Sequence, residues 1–386
     1  MTDALISGIG QSQVGRRLGR SALSLTVDAA LEAIADAGLT TADIDGVSTW
    51  PGAFSPSPGF SGVGCWDVED ALGLSLTWFN GGIESSGQLG AVINACAAVS
   101  AGLANHVLCF RTVWESTAQT AGRRASVVGT GSDRIDGAQQ WLVPFGAVSA
   151  ANWSAMIARR HFHEYGTTRE QLGALAVNQR ANAALNPKAV FREPLTLSQY
   201  LDARMISDPL CLLDCDIPVD GSTAVIVSRA DAAADLRAPL LRIAAHSSAL
   251  SGRPYWDQYE DLTSMAGAYA GQTLWQHTSL TVGDVDVAGI YDGFTILTLV
   301  WLEALGVCGK GEAGPFVEGG KRIARAASSR STPAAASFPL GGCTASATCT
   351  RYACSCAARP GNGRCRAGRL LAWSPRAAAS WARCCC

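Results

Sequence analysis

Charged residues are scarce in this 386-residue chain, where Asp, Glu, Lys and Arg together make up 16%. An average soluble domain has about 25%. The net charge is only −2, so the composition gives no general attraction to nucleic acid or to an anionic membrane. The shortage of charge predicts an extensive buried core, and the chain is long enough for two domains or for two halves of one large fold.

Membrane-spanning and secretory signals are also missing. The longest apolar run, residues 89–103, is shorter than the roughly 20 residues that cross a bilayer. Its many Ala and Gly residues predict a buried helix instead. The amino terminus has no basic region followed by an apolar run, so we expect no signal peptide and a cytoplasmic location.

Cysteine is sparse until the end of the chain. Six of the 14 cysteines are scattered before residue 340, as in a reduced cytoplasmic protein, and the other eight crowd into the last 44 positions. The end of the chain therefore differs in composition from the rest and needs a separate explanation.

Acidic residues disappear after Glu318, and ten Arg and one Lys follow. A basic nucleic-acid-binding arm usually contains Lys as well as Arg, and a zinc module would need a Cys-x-x-Cys pair, which the tail lacks. A GC-rich gene read out of frame explains the excess of Arg, Ala, Gly, Pro and Cys together, and we favour this reading. If it is correct, the chain lacks its last strands and helices, an uncovered sheet edge remains, and we expect an insoluble or inactive product.

An internal repeat organises the rest of the chain. Residues 39–45 (Leu-Thr-Thr-Ala-Asp-Ile-Asp) are matched by residues 280–286 (Leu-Thr-Val-Gly-Asp-Val-Asp), about 240 positions later. Each copy follows a predicted helix and precedes a predicted strand, which indicates a duplicated α/β unit. In the second copy the strand leads directly to Tyr291 and Asp292, and strand ends are where open α/β sheets keep their chemistry.

The pattern of elements predicts three regions. Strands are expected at residues 4–9, 47–50, 107–110, 224–228 and 240–245, and helices at 21–37, 89–102, 147–165 and 265–277. We expect an N-terminal half at 1–230 with a loop insertion at about 112–145, a partial C-terminal half at 231–320, and an anomalous tail at 321–386. The tail is predicted to be largely disordered.

Short motifs along the first 320 residues resemble those of the thiolase superfamily, specifically its lipid-transfer and sterol-carrier-type thiolase-like proteins. They are Ala-Asp-Ala-Gly-Leu at 35–39, Ser86-Gly87 before a helix of small residues, Glu-Tyr-Gly-Thr-Thr at 164–168, Asp-Pro-Leu at 208–210, Asp-Gly at 220–221 and Tyr-Asp-Gly-Phe-Thr at 291–295. The resemblance implies a duplicated, layered αβαβα fold of the α/β class. It also implies a homodimer, a small partner subunit with a zinc ribbon and an OB fold, and an acyl-CoA substrate, with coenzyme A entering only as part of that substrate.

One departure from the family bears directly on the chemistry. A degradative thiolase attacks its acyl-CoA with a Cys two residues before the Ser-Gly pair. This chain has Glu84 at that position, and no Cys lies within ten residues. The lipid-transfer branch that lacks the Cys includes aldolases that cleave the side chains of steroid β-hydroxyacyl-CoA thioesters with tyrosine acid/base groups, and the first of these falls on Tyr291.

The resemblance and the residue types together define the candidate site. Tyr291 is the candidate acid/base group, or a core aromatic at a strand end, and Asp292 either orients the site or caps the next helix. Glu84, Ser86 and Gly87 are candidate substrate-binding residues, although an acidic residue is also favoured at a helix start for electrostatic reasons. We interpret three further aspartates as turn residues and expect no metal site; they are Asp214, Asp216 and Asp220.

A second tyrosine is implied by the family in a Gly-His-Gly-Phe-Gly-Tyr-type segment. The codons of residues 340–349, read two bases later, permit Gly-Arg-Leu-His-Gly-Phe-Gly-Tyr-Leu, which would place the tyrosine across Ala347 and Thr348. The first functional hypothesis is therefore retro-aldol cleavage of a lipid or steroid β-hydroxyacyl-CoA. Thiolytic acyl transfer to coenzyme A and a non-catalytic acyl-CoA or lipid carrier are the alternatives.

Overall fold

The structure is a computed structural model that describes most of the chain as far as residue 324. It covers residues 4–53, 59–60, 62–82, 84–119, 135, 137–237, 240–250, 260–285 and 287–324, with the backbone of 334–335, 369–374 and 378–385. Its strands form a ten-stranded sheet and a two-stranded hairpin. Within those ranges no helix is both long and apolar enough to traverse a bilayer.

Strands and helices alternate along the chain, as the α/β prediction requires. The strands are β1 (Ala4–Gln11), β2 (Gly46–Thr49), β3 (Trp78–Gly81), β4 (His106–Trp114), β5 (Met205–Ser207), β6 (Leu210–Cys211), β7 (Asp220–Arg229), β8 (Leu240–Ser248), β9 (Val287–Gly289), β10 (Ala334–Ala335), β11 (Arg369–Ser374) and β12 (Ala378–Cys385). The helices are α1 (Ala22–Ala37), α2 (Cys65–Leu72), α3 (Gly87–Ser100), α4 (Glu115–Ala118), α5 (Ala150–Tyr165), α6 (Arg169–Ala184), α7 (Leu197–Leu201), α8 (Met265–Gln276), α9 (Thr295–Ala304) and α10 (Ala313–Val317).

The large sheet has an internal two-fold pattern. Its order is β10-β9-β11-β12-β8-β1-β7-β4-β2-β3. Outward from the central antiparallel pair β1 and β8, each side continues with one antiparallel neighbour, a second antiparallel strand and then two parallel ones. This is the duplicated α/β architecture that the internal repeat predicts, and the prediction of a duplicated α/β fold is confirmed.

The two repeated turns are closed by the same pair of short-range hydrogen bonds. In the first, Asp43 accepts hydrogen bonds from the backbone N–H of Thr40 at 2.8 Å and from its hydroxyl at 2.7 Å. In the second, Asp284 accepts both equivalent bonds from Thr281 at 3.0 Å. Each Thr and Asp thus close one 3₁₀ turn, the first leading into β2 and the second into β9.

Helix α3 is the central helix that the apolar run at 89–103 predicts. It packs against β2, β4 and β7 on one side of the central β1–β8 pair. It also packs against β8 and, beyond it in the sheet, against β12 and β11. Ten of its 14 residues are buried, which leaves almost no solvent-facing side for charged residues. A helix enclosed in this way explains part of the low charge content of the chain.

The tail corrects one prediction about the sheet. We expected an out-of-frame tail to leave a sheet edge uncovered, but β12 pairs antiparallel with β8 from Ala378 to Cys385. β11 then joins β12 to β9. Backbone pairing depends little on side-chain identity, so an open edge accepts an extended segment of unusual composition. Most of residues 321–386, including Ala347 and Thr348, lie outside the described ranges.

The N-terminal half also corrects the expected start of the insertion. β4 continues to Trp114 and α4 occupies Glu115–Ala118, so the first residues of the segment at 112–145 belong to a regular strand and helix. The start of α4 is fixed by Asp220, whose carboxylate accepts hydrogen bonds from the N–H of Thr117 at 2.9 Å and from its hydroxyl at 2.6 Å. This contact ties α4, which begins at the half-buried Glu115, to the beginning of β7.

Candidate active site

Tyr291 lies where β9 gives way to α9, as the sequence predicts. It is buried, with 8% of its surface exposed, between Ile290 and the turn that begins the helix. Its backbone carbonyl accepts a hydrogen bond from the hydroxyl of Thr298 at 3.4 Å, one turn into α9. The helix start therefore holds the backbone of Tyr291 in place.

The first residue of α9 is anchored from a distant part of the chain. The hydroxyl of Thr295 donates a hydrogen bond to Asp214 at 2.5 Å. Asp214 also accepts from the hydroxyl of Tyr200 and from the N–H of Cys211, both at 2.7 Å. A buried carboxylate with three donors is a rigid acceptor, so Asp214 positions the turn that carries Tyr291.

The phenol of Tyr291 occupies space that only a glycine leaves open. A Cβ atom added at Gly293 would lie 2.1 Å from the Tyr291 hydroxyl oxygen and 2.3 Å from the ring carbon that carries it. No real side chain tolerates such an approach. The glycine in the Tyr-Asp-Gly-Phe motif is therefore required because the phenol folds back over it.

A second chain segment lies directly beside this turn. Cys215 forms an antiparallel β-bridge with Phe294, which places the neighbouring Asp216 alongside the Tyr291 turn. Asp216 accepts a hydrogen bond from the N–H of Ile217 at 2.8 Å and is half-buried. Burial first, and then the nearby Glu115 carboxyl, raise the pKa of Asp216 to about 7, although the Ile217 N–H opposes this.

Arg111 supplies the positive charge of the site. It is almost completely buried on β4, and its guanidinium carbon lies 5.1 Å from the ring centre of Trp50 and 4.6 Å from that of Phe60. It donates hydrogen bonds to the backbone carbonyls of Phe60 and Thr112. Two aromatic faces and two carbonyls thus stabilise a cation deep inside the protein.

The electrostatic surroundings of Tyr291 favour its protonated form. Burial, followed by the carboxyls of Asp216, Asp292 and Glu115, raises the pKa of Tyr291 well above the usual value near 10, and Arg111 only partly opposes this. Burial also raises the pKa of Glu115. The site is therefore a neutral phenol among three carboxyls and one guanidinium, which suits proton transfer.

The structure does not bring all the predicted site residues together. Asp292 is half-buried and adjoins Tyr291, whereas Glu84 is exposed in the turn before α3. Ser86 is half-buried at the N-cap of α3, and Gly87 is the first residue of that helix, with a φ of 69°. Across the described part of the chain, no hydrogen bond or ion pair joins Glu84 to Tyr291 or Asp292. Substrate binding by this second group stays a prediction.

Sequence reasoning missed Arg111, Glu115 and Asp216. Glu115 lies where we expected a loop insertion, Arg111 immediately precedes that segment, and Asp216 was interpreted as a turn residue. The three aspartates interpreted alike prove different: Asp214 and Asp220 accept hydrogen bonds from several donors, but Asp216 accepts from Ile217. No group of three or more His, Cys, Asp or Glu side chains suited to a metal converges among the residues that the structure places.

Five of the six cysteines in the described region are poor nucleophiles, and the sixth, Cys215, is half-buried and donates a thiol hydrogen bond to the carbonyl of Cys211 at 3.3 Å. Burial raises the pKa of the Cys65 thiol to about 11 and those of Cys96 and Cys308 to about 12. Cys109 and Cys211 are also buried, and burial raises their pKa values too. A thiol must ionise to attack a thioester, so these residues have the character of core side chains.

Comparison with known proteins supports the resemblance to thiolase-like proteins. A family model described as Thiolase C-terminal domain-like matches residues 249–329. The steroid side-chain-cleaving aldolase of Thermomonospora curvata is 37% identical to this chain over 327 residues, which cover 82% of this chain and 81% of that protein. The 17-hydroxy-3-oxo-4-pregnene-20-carboxyl-CoA lyase of Mycobacterium tuberculosis is 35% identical over 324 residues, with 82% of each protein covered.

A solved structure is similar over nearly the whole length. The Ltp2-ChsH2(DUF35) aldolase superposes with a TM-score of 0.81 at 30% identity and covers 99% of this chain and 98% of that chain. The similarity therefore extends through both halves of the sheet and includes the turn that carries Tyr291.

Proposed function

The chain belongs to the thiolase superfamily, within its lipid-transfer and sterol-carrier-type thiolase-like proteins, and we propose that it catalyses retro-aldol cleavage of a steroid or other bulky lipid β-hydroxyacyl-CoA. The single observation that carries this proposal is the buried Tyr291, kept protonated among carboxyls, in a chain with Glu84 and not a cysteine two residues before the Ser86-Gly87 pair. Both curated relatives described above are named for steroid side-chain cleavage or for acyl-CoA lysis.

The reaction needs one proton acceptor and one proton donor. A base removes the proton of the β-hydroxyl, the C–O bond becomes a ketone C=O, and the Cα–Cβ bond breaks. The bonding electrons move into the thioester as an enolate, which is then protonated at Cα. The products are a ketone and a shortened acyl-CoA. Coenzyme A takes part as the carrier of the substrate, and the proposed reaction uses no other cofactor.

Tyr291 has the properties of the donor in this scheme. A phenol with a raised pKa is fully protonated at neutral pH and cannot remove a hydroxyl proton. It can donate a hydrogen bond to a developing enolate and then transfer its proton. Gly293, which leaves room for the hydroxyl, and Asp214, which holds the start of α9, set the position of that donor.

Thiolytic acyl transfer is the less favoured function. It would require a thiolate near the start of α3, where this chain carries the exposed Glu84. The described thiols lie elsewhere, and burial raises the pKa values of five of them. A non-catalytic carrier has no need for three carboxyls around a phenol, because neighbouring carboxyls disfavour each other's ionisation.

The assembly that we propose is a homodimer with an additional small subunit. Strand β3 ends the large sheet, and its Phe79 is 65% exposed. An apolar strand edge of this kind is suited to pairing with a second copy. The similar Ltp2 aldolase was solved with ChsH2(DUF35), and we propose a corresponding partner with a zinc ribbon and an OB fold here. The proposed location is cytoplasmic.

Turnover assays with the partner subunit test the proposed function. The 386-residue chain, and a second chain whose tail is translated in the alternative frame, are each incubated with a steroid β-hydroxyacyl-CoA, and the products are measured by mass spectrometry. We expect equimolar ketone and shortened acyl-CoA from the chain with the alternative-frame tail. If both chains are folded but release neither product, the proposed function is wrong. Bound but unchanged acyl-CoA would instead support a carrier.

A further inference from the structure

The loop that follows β1 carries two adjacent exposed arginines, Arg16 and Arg17. Arg20, in the same loop, is paired with Asp28 at 2.6 Å. Across the described ranges, by contrast, neither Arg16 nor Arg17 forms an ion pair. Two neighbouring guanidinium groups on one short loop are therefore available to an anionic ligand.

The backbone of this loop is strained and firmly held. Arg17 has a φ of 52°, in the left-handed region that a residue with a side chain adopts only at a cost. The N–H of Arg17 donates a hydrogen bond to the hydroxyl of Ser116 at 2.9 Å. On either side of it, the N–H of Gly15 donates to the backbone carbonyl of Asp220, and the N–H of Leu18 to its carboxyl, both at 3.0 Å. Strain of this kind persists only where surrounding contacts enforce it, and it is concentrated at functional sites such as ligand clamps.

The same contacts place the loop beside the candidate active site. Ser116, which holds the backbone of Arg17, belongs to α4 and directly follows Glu115. The carboxyl of Glu115 is one of those that raise the pKa of the Tyr291 hydroxyl. The phenol is buried, whereas Arg16 and Arg17 are exposed. The two arginines therefore lie at the surface next to the chain segment that reaches down to the phenol.

We propose that Arg16 and Arg17 bind phosphate groups of the coenzyme A part of the substrate. This inference rests on the proposed function and assigns a binding site to the part of the substrate that does not react. An acyl-CoA carries its thioester at one end of the extended pantetheine arm and its pyrophosphate and 3′-phosphate at the other. When the thioester lies at the buried Tyr291, the arm directs the phosphates toward the surface, where the exposed arginines are.

The chemistry of arginine suits this role. A planar guanidinium donates parallel N–H hydrogen bonds to two phosphate oxygens, which a lysine ammonium does not do. The chain as a whole has a net charge of −2 and gives no general attraction to a polyanionic ligand, so a local pair of cations has to supply it. Because the backbone of Arg17 is already fixed by Ser116, less conformational freedom is lost when the phosphates bind.

Calorimetric titration with adenosine 3′,5′-bisphosphate tests the site without any turnover. This probe has a 3′-phosphate and a 5′-phosphate but no thioester, and both full-length chains of the turnover assay are titrated. We expect the double variant Arg16→Gln/Arg17→Gln to bind it at least about tenfold more weakly than the wild type. Arg17→Lys, which keeps a charge but loses the planar fork, should give an intermediate loss. The matched control is Arg204→Gln, at an exposed arginine before β5, which should bind as the wild type does.

A kinetic comparison of two thioesters separates phosphate binding from an effect on the fold. The same acyl group is presented on coenzyme A and on N-acetylcysteamine, which has no phosphate, to the full chain with its partner subunit. For the acyl-CoA we expect the double variant to raise KM at least about tenfold with little change in kcat, because the phosphates are bound equally in the ground state and the transition state. KM for the N-acetylcysteamine thioester should not change. Added salt should reduce the difference between the wild type and the double variant.

The outcomes distinguish this site from the proposed reaction. Failure of the wild type to bind the nucleotide, or equal binding by the wild type and the double variant, overturns the phosphate site. Equal affinity of the wild type for the nucleotide and for inorganic phosphate overturns it too, because that result shows only general anion attraction. An equal rise in KM for both thioesters has the same consequence. Weakened nucleotide binding in a double variant of a folded chain that cleaves neither thioester supports the site and counts against the retro-aldol function alone.

Discussion

The two halves of the molecule share the same order of turn and strand but have different aromatic residues at the strand end. Trp50 follows β2 and Tyr291 follows β9, and these residues are 241 positions apart, as are Leu39 and Leu280 at the start of the repeated turns. Turn, strand and strand end therefore correspond one to one. The duplicated backbone places an aromatic ring at the same point of each half.

The surroundings of the two rings determine their different properties. Trp50 packs edge-to-face against Phe60, with ring centres 5.4 Å apart, and lies against the Arg111 guanidinium. Tyr291 lies among carboxyls that keep its hydroxyl protonated. The comparison shows that the duplication fixes the position of each ring, while carboxyls from α4 and from the segment before β7 raise the pKa of the ring hydroxyl in one half only.

Deleting the tail should have the largest effect, because it removes strands from the second half of the sheet and none from the first. The first half builds its sheet from residues before 230, but the second half uses β11 and β12 from beyond residue 368. A chain ending at Gly320 leaves β8 and β9 without these neighbours, so we expect soluble protein to be lost in expression trials. A soluble truncated chain with unchanged Tm would contradict this. The nucleotide sequence from codon 318 onward determines whether the tail is translated in frame.

Exchanging the two rings for phenylalanine should separate catalysis from packing. We expect Tyr291→Phe to lower kcat by about 10²–10⁴-fold and to change the free energy of unfolding by less than about 1 kcal/mol. Trp50→Phe should do the reverse, with a loss of stability of about 1–2 kcal/mol. Ketone release and thermal unfolding measure the two effects. Equal kinetic losses in both variants would refute the division of roles.

The glycines that follow the two rings provide a finer test. Gly293→Ala places a methyl group 2.1 Å from the present position of the Tyr291 hydroxyl, so we expect kcat to fall by at least about tenfold as the phenol moves. The corresponding Gly52 has a φ of 86°, and Gly52→Ala should cost about 1 kcal/mol of stability through backbone strain. Kinetics of Gly293→Ala that match the wild type would show that the phenol position does not matter.

The carboxyl of Asp216 makes stability depend on pH. Its folded-state pKa of about 7 lies above the usual value of 3.8, so the folded state is favoured in acid and loses that advantage as pH rises through 7. Asp216→Asn should therefore be more stable than the wild type at pH 8, by on the order of 2 kcal/mol, and equally stable near pH 4. Denaturant unfolding at both pH values measures this. A variant that is less stable at pH 8 would contradict it.

The repeated turns should give the smallest and most equal effects. Asp43→Ala and Asp284→Ala each remove two hydrogen bonds from an exposed cap. We expect each to lower the free energy of unfolding by about 0.5–1 kcal/mol and to leave kcat unchanged. If Asp284→Ala alone greatly lowered kcat, the second turn would affect the position of the active-site residues that follow β9 as well as the stability of the fold.

Local signals made much of the fold predictable. Gly38 ends α1 with a φ of 77°, and Thr168 and Thr196 cap α6 and α7, as short-range sequence patterns indicate. The hairpin of β5 and β6 and the short helix α4 were not anticipated, since elements of two to four residues give no measurable periodicity. The position of Tyr291 at a strand end followed from the repeat and from the family motif.

The sequence by itself determined the duplicated α/β unit, its caps, the family and the placement of Tyr291 and Asp292, because each can be recognised from short local motifs, including one that recurs 241 positions later. Only the tertiary structure decided which of three similar aspartates has its pKa raised by burial and by a neighbouring carboxyl. Asp214 and Asp220 bond to Thr295 and Thr117, respectively 81 and 103 positions away, whereas Asp216 lies beside Glu115. Burial and neighbouring charge raise a pKa, and both depend on residues that the sequence separates and the sheet brings together.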